Sequence, residues 1–81
     1  MIKVLFFAQV KELVGTASLD IDEGFETAEQ LRAHLAQRGD KWSLALEPGK
    51  LLVAVNQTIS PLDTSLADGD EVAFFPPVTG G

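Results

Sequence analysis

Asp68-Gly69-Asp70-Glu71-Val72-Ala73-Phe74-Phe75-Pro76-Pro77 is the stretch whose reading decides the fold. Asp-Gly is a strong turn signal, and the run from Glu71 to Phe75 directly after it is rich in β-branched and aromatic residues, so it reads as a strand. Period-2 alternation places Val72 and Phe74 on one face and Ala73 and Phe75 on the other. Pro76 and Pro77 cannot donate backbone hydrogen bonds and bias the chain to an extended path, so the strand ends there. The chain closes with a tail, Val78-Thr79-Gly80-Gly81.

Upstream of that strand, the apolar run Leu51 to Val55 predicts a central strand with both faces partly covered, Asn56-Gln57 a turn, and Thr58-Ile59 a short return segment ended by Pro61. At the other end of the chain, Ile2 to Phe7 predicts a first strand with Ile2, Val4 and Phe6 on one face and Lys3, Leu5 and Phe7 on the wetter one. Ala17 to Ile21 suits a hairpin partner for it, with Leu19 and Ile21 inward. Gln9 to Val14 can make one or two helical turns stopped by Gly15. Thr27-Ala28-Glu29-Gln30 has the form of a capping box, with Glu26 and Glu29 where the helix dipole favours negative charge. Ala28, Leu31 and Leu35 then share one helical stripe, and Gly39 is the expected stop. Lys41 to Leu46 predicts a short second helix before the Pro48-Gly49 turn. The order is strand, strand, helix, strand, short strand, strand. Helices over one face of a mixed sheet give an α+β fold, one domain over residues 1–81 with 76–81 protruding.

The composition narrows the function. The chain has 81 residues, a net charge of −6, 46% hydrophobic and 22% charged residues, no cysteine and one histidine. No apolar run approaches the roughly 20 residues that cross a bilayer, and the start Met1-Ile2-Lys3-Val4 lacks a signal-peptide layout, so a cytoplasmic address and no membrane partner are expected. Six basic residues against twelve acidic ones argue against a phosphate-tracking nucleic-acid surface. Without cysteine there is no thiolate metal site or sulfur nucleophile, and a lone His34 makes a multi-histidine metal site hard to assemble. His34 reads as a partly exposed helical residue and Trp42 as a satellite-core anchor. Asp68, Asp70 and Glu71 lack the longer pattern of a calcium loop and read as turn and strand-edge charges.

The tail is the informative feature. From Val72 onward only apolar, Thr and Gly residues occur, in an otherwise acidic chain. Extended from Pro76, six residues reach roughly 20 Å. A glycine terminus is ordinarily a frayed end. This one leaves directly from an apolar strand through a stiff Pro-Pro exit, and Gly80-Gly81 has no side chain to stop it threading a narrow channel. A carboxylate is a poor electrophile and has to be activated, for example as an acyl-adenylate made with ATP. Nothing in the chain resembles a phosphate-binding Gly-rich loop, so activation falls to a partner. Phe75, Phe7 and Ile59, assigned to exposed positions near the tail, mark a docking surface.

The Met1–Phe7 strand, the run Leu52-Val53-Ala54-Val55-Asn56-Gln57, the block Leu66 to Val78 and the terminal Gly80-Gly81 together resemble the small-subunit family of molybdopterin synthase, over all 81 residues and without evident insertion. The resemblance implies a ubiquitin-like β-grasp fold of about five strands packed on one main helix, and a sulfur carrier that is not itself an enzyme and binds no cofactor. An E1-like enzyme using ATP would adenylate Gly81, and a sulfur donor system would convert the adenylate to a thiocarboxylate. The large subunit would then receive the tail and pass the sulfur to cyclic pyranopterin monophosphate, in a complex of two small and two large subunits. By position, Gly80 and Gly81 correspond to the modified end. Phe7, Ile59, Phe75, Pro76, Pro77, Val78 and Thr79 correspond to the partner interface. A sulfur carrier for thiamine synthesis and a ubiquitin-like modifier or binding module are the alternatives.

Overall fold

Alternation in the first strand, β1 (Ile2–Phe6), buries Ile2, Val4 and Phe6 and leaves Lys3 exposed, as the period-2 reading requires. A computed structural model describes residues 1–77, and the other elements come in the expected order. Helix α1 (Ala8–Val14) is stopped by Gly15, whose φ of 81° lets its N–H reach the Lys11 carbonyl at 2.9 Å. β2 (Ser18–Ile21) runs antiparallel to β1, with Ile2 opposite Ile21 and Val4 opposite Leu19.

Helix α2 (Ala28–Ala36) starts at Thr27, whose Oγ1 accepts from the Gln30 N–H at 3.2 Å, while Gln30 Oε1 accepts from the Glu26 N–H at 2.9 Å. The reciprocal contact thus reaches one residue further back than in an ideal capping box. Gly39 does not stop this helix. The C-cap is Gln37 in a right-handed conformation, and Gly39 is the extended N-cap of α3 (Asp40–Ala45). An apolar face ends at Ala36 because the chain has to turn there to lay α3 alongside.

β3 (Leu52–Val55) and β4 (Thr58–Ser60) form a hairpin over Asn56 and Gln57, both at positive φ (51° and 71°), the backbone twist that two-residue hairpins favour. β5 (Glu71–Phe75) closes the sheet in the order β2-β1-β5-β3-β4, parallel to β1 and antiparallel to β3. The strand that carries the tail is therefore the middle one.

All three helices contribute to one cluster against one face of this sheet. Val10 of α1, Ala28, Leu31 and Leu35 of α2, and Ala45 of α3 pack with Val4, Phe6, Val53, Val72 and Phe74. Phe6 stacks on Phe74 at 6.2 Å and takes Trp42 edge-on at 5.5 Å, so Trp42 is the anchor of α3 on the core. Arg32 is buried on the same side of α2. Its Nε and Nη2 donate to the two Glu29 carboxylate oxygens at 2.7 and 2.6 Å, and Nη1 donates to the Leu46 carbonyl at 2.8 Å. The arginine ties α2 to the end of α3, and its guanidinium holds the Glu29 carboxyl below its ordinary value. Among the described residues no helix is long and apolar enough to cross a membrane.

Candidate functional site

The site is built on the sheet face that the helices leave open. Strand register sets out two apolar rows there. Leu5, Ala73, Ala54 and Ile59 are successive partners across β1, β5, β3 and β4. In the row nearer the tail, Phe75 lies opposite Leu52, and Phe7 stands one position beyond Phe6, the partner of Phe74. Ile59 is 67% exposed and Phe7 48%, while Leu5 and Leu52 are half-buried. Ala54 and Ala73, each 9% exposed, lie low between larger neighbours and belong to no part of the helix-side cluster. An open antiparallel face usually alternates to polar residues. The charged residues of this face, Lys3, Glu71 and Asp20, share a single row at the other end, and Ser18 on β2 is the polar partner of Leu5 at the edge of the apolar row.

Phe75 differs from the sequence reading in degree. It points to the open face as expected, but it is half-buried, since the middle strand has neighbours on both sides. Phe7 is set by its backbone: its N–H donates to the Phe74 carbonyl at 3.1 Å, and its own carbonyl accepts from the Val10 and Lys11 N–H groups at 3.1 and 3.3 Å.

Pro76 and Pro77 end the ladder in the middle of the sheet. Pro76 is half-buried and Pro77 exposed, so the chain leaves the body one residue later than the 76–81 tail read from sequence. Pro76 also borders a groove of about 390 Å³ between α1 and α3, lined on its apolar side by Val10, Leu13, Leu44 and Ala45. Leu44, 61% exposed, went unremarked in the sequence as a surface residue. A helix of six residues shows too little periodicity to separate its buried Ala45 from its exposed Leu44. Val78, Thr79, Gly80 and Gly81 lie outside the described residues.

Several ionisable groups are engaged in structural contacts. Asp70 Oδ1 accepts from Asn56 Nδ2 at 3.1 Å and Oδ2 from the Ala67 N–H at 2.8 Å, and these bonds, that from Asn56 foremost, hold its carboxyl below the ordinary value. Asn56 Oδ1 in turn accepts from the Glu71 N–H at 3.0 Å. The Met1 ammonium pairs with Asp68. His34 is half-buried on α2, tilted against the Phe25 ring at 5.1 Å and 3.8 Å from Glu23. Among the described residues no three His, Asp or Glu side chains gather as a metal site would need. What the site offers is an open apolar platform whose middle strand leads out through Pro76 and Pro77.

That combination defines a class, and comparison with known proteins agrees with it. The chain belongs to the ThiS family, which it matches over residues 4–81. It is 65% identical, over the whole of both chains, to the molybdopterin synthase sulfur carrier subunit of Escherichia coli K12. Its fold is similar to that of small archaeal modifier protein 1 from Methanosarcina acetivorans (TM-score 0.79, 25% identity, 99% of this chain and 95% of that one). It is also similar to the complex of subunits 1 and 2 of the molybdopterin-converting factor of Helicobacter pylori (TM-score 0.67, 30% identity, 99% and 97%). Within the family the chain stands among the molybdopterin synthase sulfur carrier subunits, with their ubiquitin-like β-grasp fold.

Proposed function

We propose that Gly81 is the sulfur-bearing end of this carrier. An E1-like adenylating enzyme would join the Gly81 carboxylate to the α-phosphorus of ATP with release of pyrophosphate. Sulfur from a donor system would then attack the acyl carbon and expel AMP, leaving a thiocarboxylate. The tail, Gly80 included, would thread into the large subunit of the synthase. There the sulfur passes to cyclic pyranopterin monophosphate, and two rounds complete the dithiolene. Catalytic side chains belong to the partners in this reading, and holding the thiocarboxylate in a partner's pocket supplies the proximity and water exclusion that a free tail lacks.

The observation that carries the reading is the placement of the open apolar face beside the exit of the middle strand. Phe7, Ile59 and Phe75 form the docking surface, and Pro76, Pro77, Val78 and Thr79 the stem that the partner takes up. The Helicobacter pylori complex of subunits 1 and 2 supports a carrier that works on a second subunit, and the assembly proposed has two of each. An ATP-dependent activation also suits a cytoplasmic address. The acidic balance of the chain favours partners with basic groups around an anionic substrate.

Intact mass tests it. Incubated with the activating enzyme, ATP and the sulfur donor, the chain is expected to gain about 16 Da, one oxygen replaced by sulfur. A chain lacking Gly81 is expected to gain nothing while keeping its melting temperature, because a terminal residue adds little to the core. A mass gain on the truncated chain would sink the reading. The archaeal modifier neighbour keeps a second reading in view, conjugation of Gly81 to lysines. That activity would leave isopeptide-linked ladders on denaturing gels in place of the small mass gain. A carrier for thiamine synthesis would load in the same way, and is separated by failure to bind the large synthase subunit.

A further inference from the structure

Two consecutive residues at the head of α1 depart from what their positions favour. Phe7 occupies the N-cap, where Ser, Thr, Asp or Asn would supply an oxygen to the free N–H groups, and it makes no side-chain cap; the first turn carries no acidic residue either. Ala8 has a φ of 51°. A side chain with a Cβ rarely adopts a positive φ, and glycine or asparagine does so more readily. Among the described residues, the other two non-glycine residues at positive φ, Asn56 and Gln57, form a hairpin turn that calls for it. Ala8 has no such turn, and it is exposed, so burial of its methyl group does not account for it.

The pair makes sense as a joint. Phe7 keeps the extended conformation of β1 (φ −126°, ψ 154°), which sends its ring to the open face. Its carbonyl already accepts from the first turn of α1. Only a sharp reversal at the very next residue lets one residue belong to both elements. Alanine at positive φ sits in a small allowed well, so the reversal has little play, whereas glycine would open several wells.

We propose that Ala8 is a positioning residue: its left-handed backbone clamps Phe7 between strand and helix so that the Phe7 ring stands preset on the face that docks the large subunit. The proposal rests on the docking reading above. Setting the anchor ring before binding removes an ordering cost that the complex would otherwise bear.

Three variants of the full chain test it, each with its affinity for the large subunit measured by calorimetry and its melting temperature in parallel. Ala8→Gly is expected to melt within about 4 °C of the parent, because relief of the positive φ offsets the extra freedom of the unfolded chain. Its affinity is expected to fall about two- to tenfold, the cost of immobilising one side chain. Ala8→Asn, which tolerates positive φ, is expected to keep the parental affinity. Phe7→Ala is expected to lose about tenfold or more. Parental affinity in Phe7→Ala overturns the docking reading itself. Weak binding by Phe7→Ala together with parental affinity in Ala8→Gly overturns the joint alone. So does an Ala8→Asn variant as weak as Ala8→Gly, or a melting loss in Ala8→Gly well beyond 4 °C, since Ala8 would then serve packing and not position.

Discussion

The row Val4, Val72 and Val55 and the row Leu5, Ala73 and Ala54 lie one residue apart on the same three strands, and both are apolar. In the first, Val4 and Val72 are fully buried beneath the helices, and Val55 is buried at the edge of the helix-side cluster. The second faces away from every helix and continues to an Ile59 that is two-thirds exposed. The same contrast separates Phe74 from Phe75. Hydrophobicity alone therefore does not distinguish what holds this protein together from what it presents to others; coverage does. An apolar face left bare on a small acidic chain favours association, and its cost in solubility is tolerable where a partner covers it.

The largest expected effect sets the two faces against each other at adjacent residues. Phe74→Ala removes a fully buried ring that stacks on Phe6 and should cost about 3–5 kcal/mol. That is comparable to the whole net stability of a domain this small, so circular dichroism at 37 °C should find the variant largely unfolded. Phe75→Ala should stay folded, melting within about 8 °C of the parent, for a loss near 1 kcal/mol. Its affinity for the large subunit should nonetheless drop about tenfold or more. Equal stability losses in the two variants would erase the distinction between the faces.

Ile59→Ser probes the far edge of the open face. Because the side chain is so exposed, stability should move by no more than about 0.5 kcal/mol. Binding should weaken about threefold to tenfold, as for a contact away from the centre of an interface. Unchanged calorimetric affinity would confine the docking surface to the Phe7–Phe75 row.

Much of this contrast is legible in the residues alone, because a strand's period of two assigns faces once its ends are marked. Asp68-Gly69, Asn56-Gln57 and Gly15 mark them, and β1 alternates as written, whereas in β5 the small Ala73 is buried along with Val72 and Phe74. What resists reading is whatever depends on a third element. Gly39 looks like a helix stop, but tertiary packing places the end of α2 at Gln37. Phe75 is half-buried because β5 turns out to be the middle strand, an order that local signals do not disclose. Nothing in the helical stripe assigns Arg32 a role. Its place beside Leu31 and Leu35, three residues after Glu29, is the only hint that it is held between Glu29 and the Leu46 carbonyl. The positive φ of Ala8 leaves no trace at all in the residue type. The assignment of Gly80 and Gly81 as the sulfur-bearing end is a proposal that comes from the sequence alone.

The smallest expected effect concerns what keeps the two faces from trading places. A one-residue slip in strand pairing would turn every side chain of a strand to the opposite face, so register is the variable on which the contrast rests. At the end of the sheet away from the prolines, Asp70 and Asn56 clasp the β3–β4 turn to the start of β5 through two side-chain hydrogen bonds, and Asp70 also accepts from the Ala67 N–H. Asp70 is held below its ordinary pKa by Asn56 and then by the Ala67 N–H. A folded-state pKa below the unfolded value means that the unfolded chain binds more protons across the interval between them, so the stabilisation is complete above about pH 4 and is lost as pH falls through the folded value. Solvent around the clasp limits it to no more than about 1 kcal/mol. The stability difference between the parent and Asp70→Asn should therefore be constant from pH 8 to 5 and shrink below pH 4 in denaturant titrations. The variant should still bind the large subunit as the parent does, because the burial of Val72 and Phe74 holds the register even when the clasp is weakened. Loss of binding in a folded Asp70→Asn chain would mean that the clasp, and not the alternation of β5, decides which face is presented.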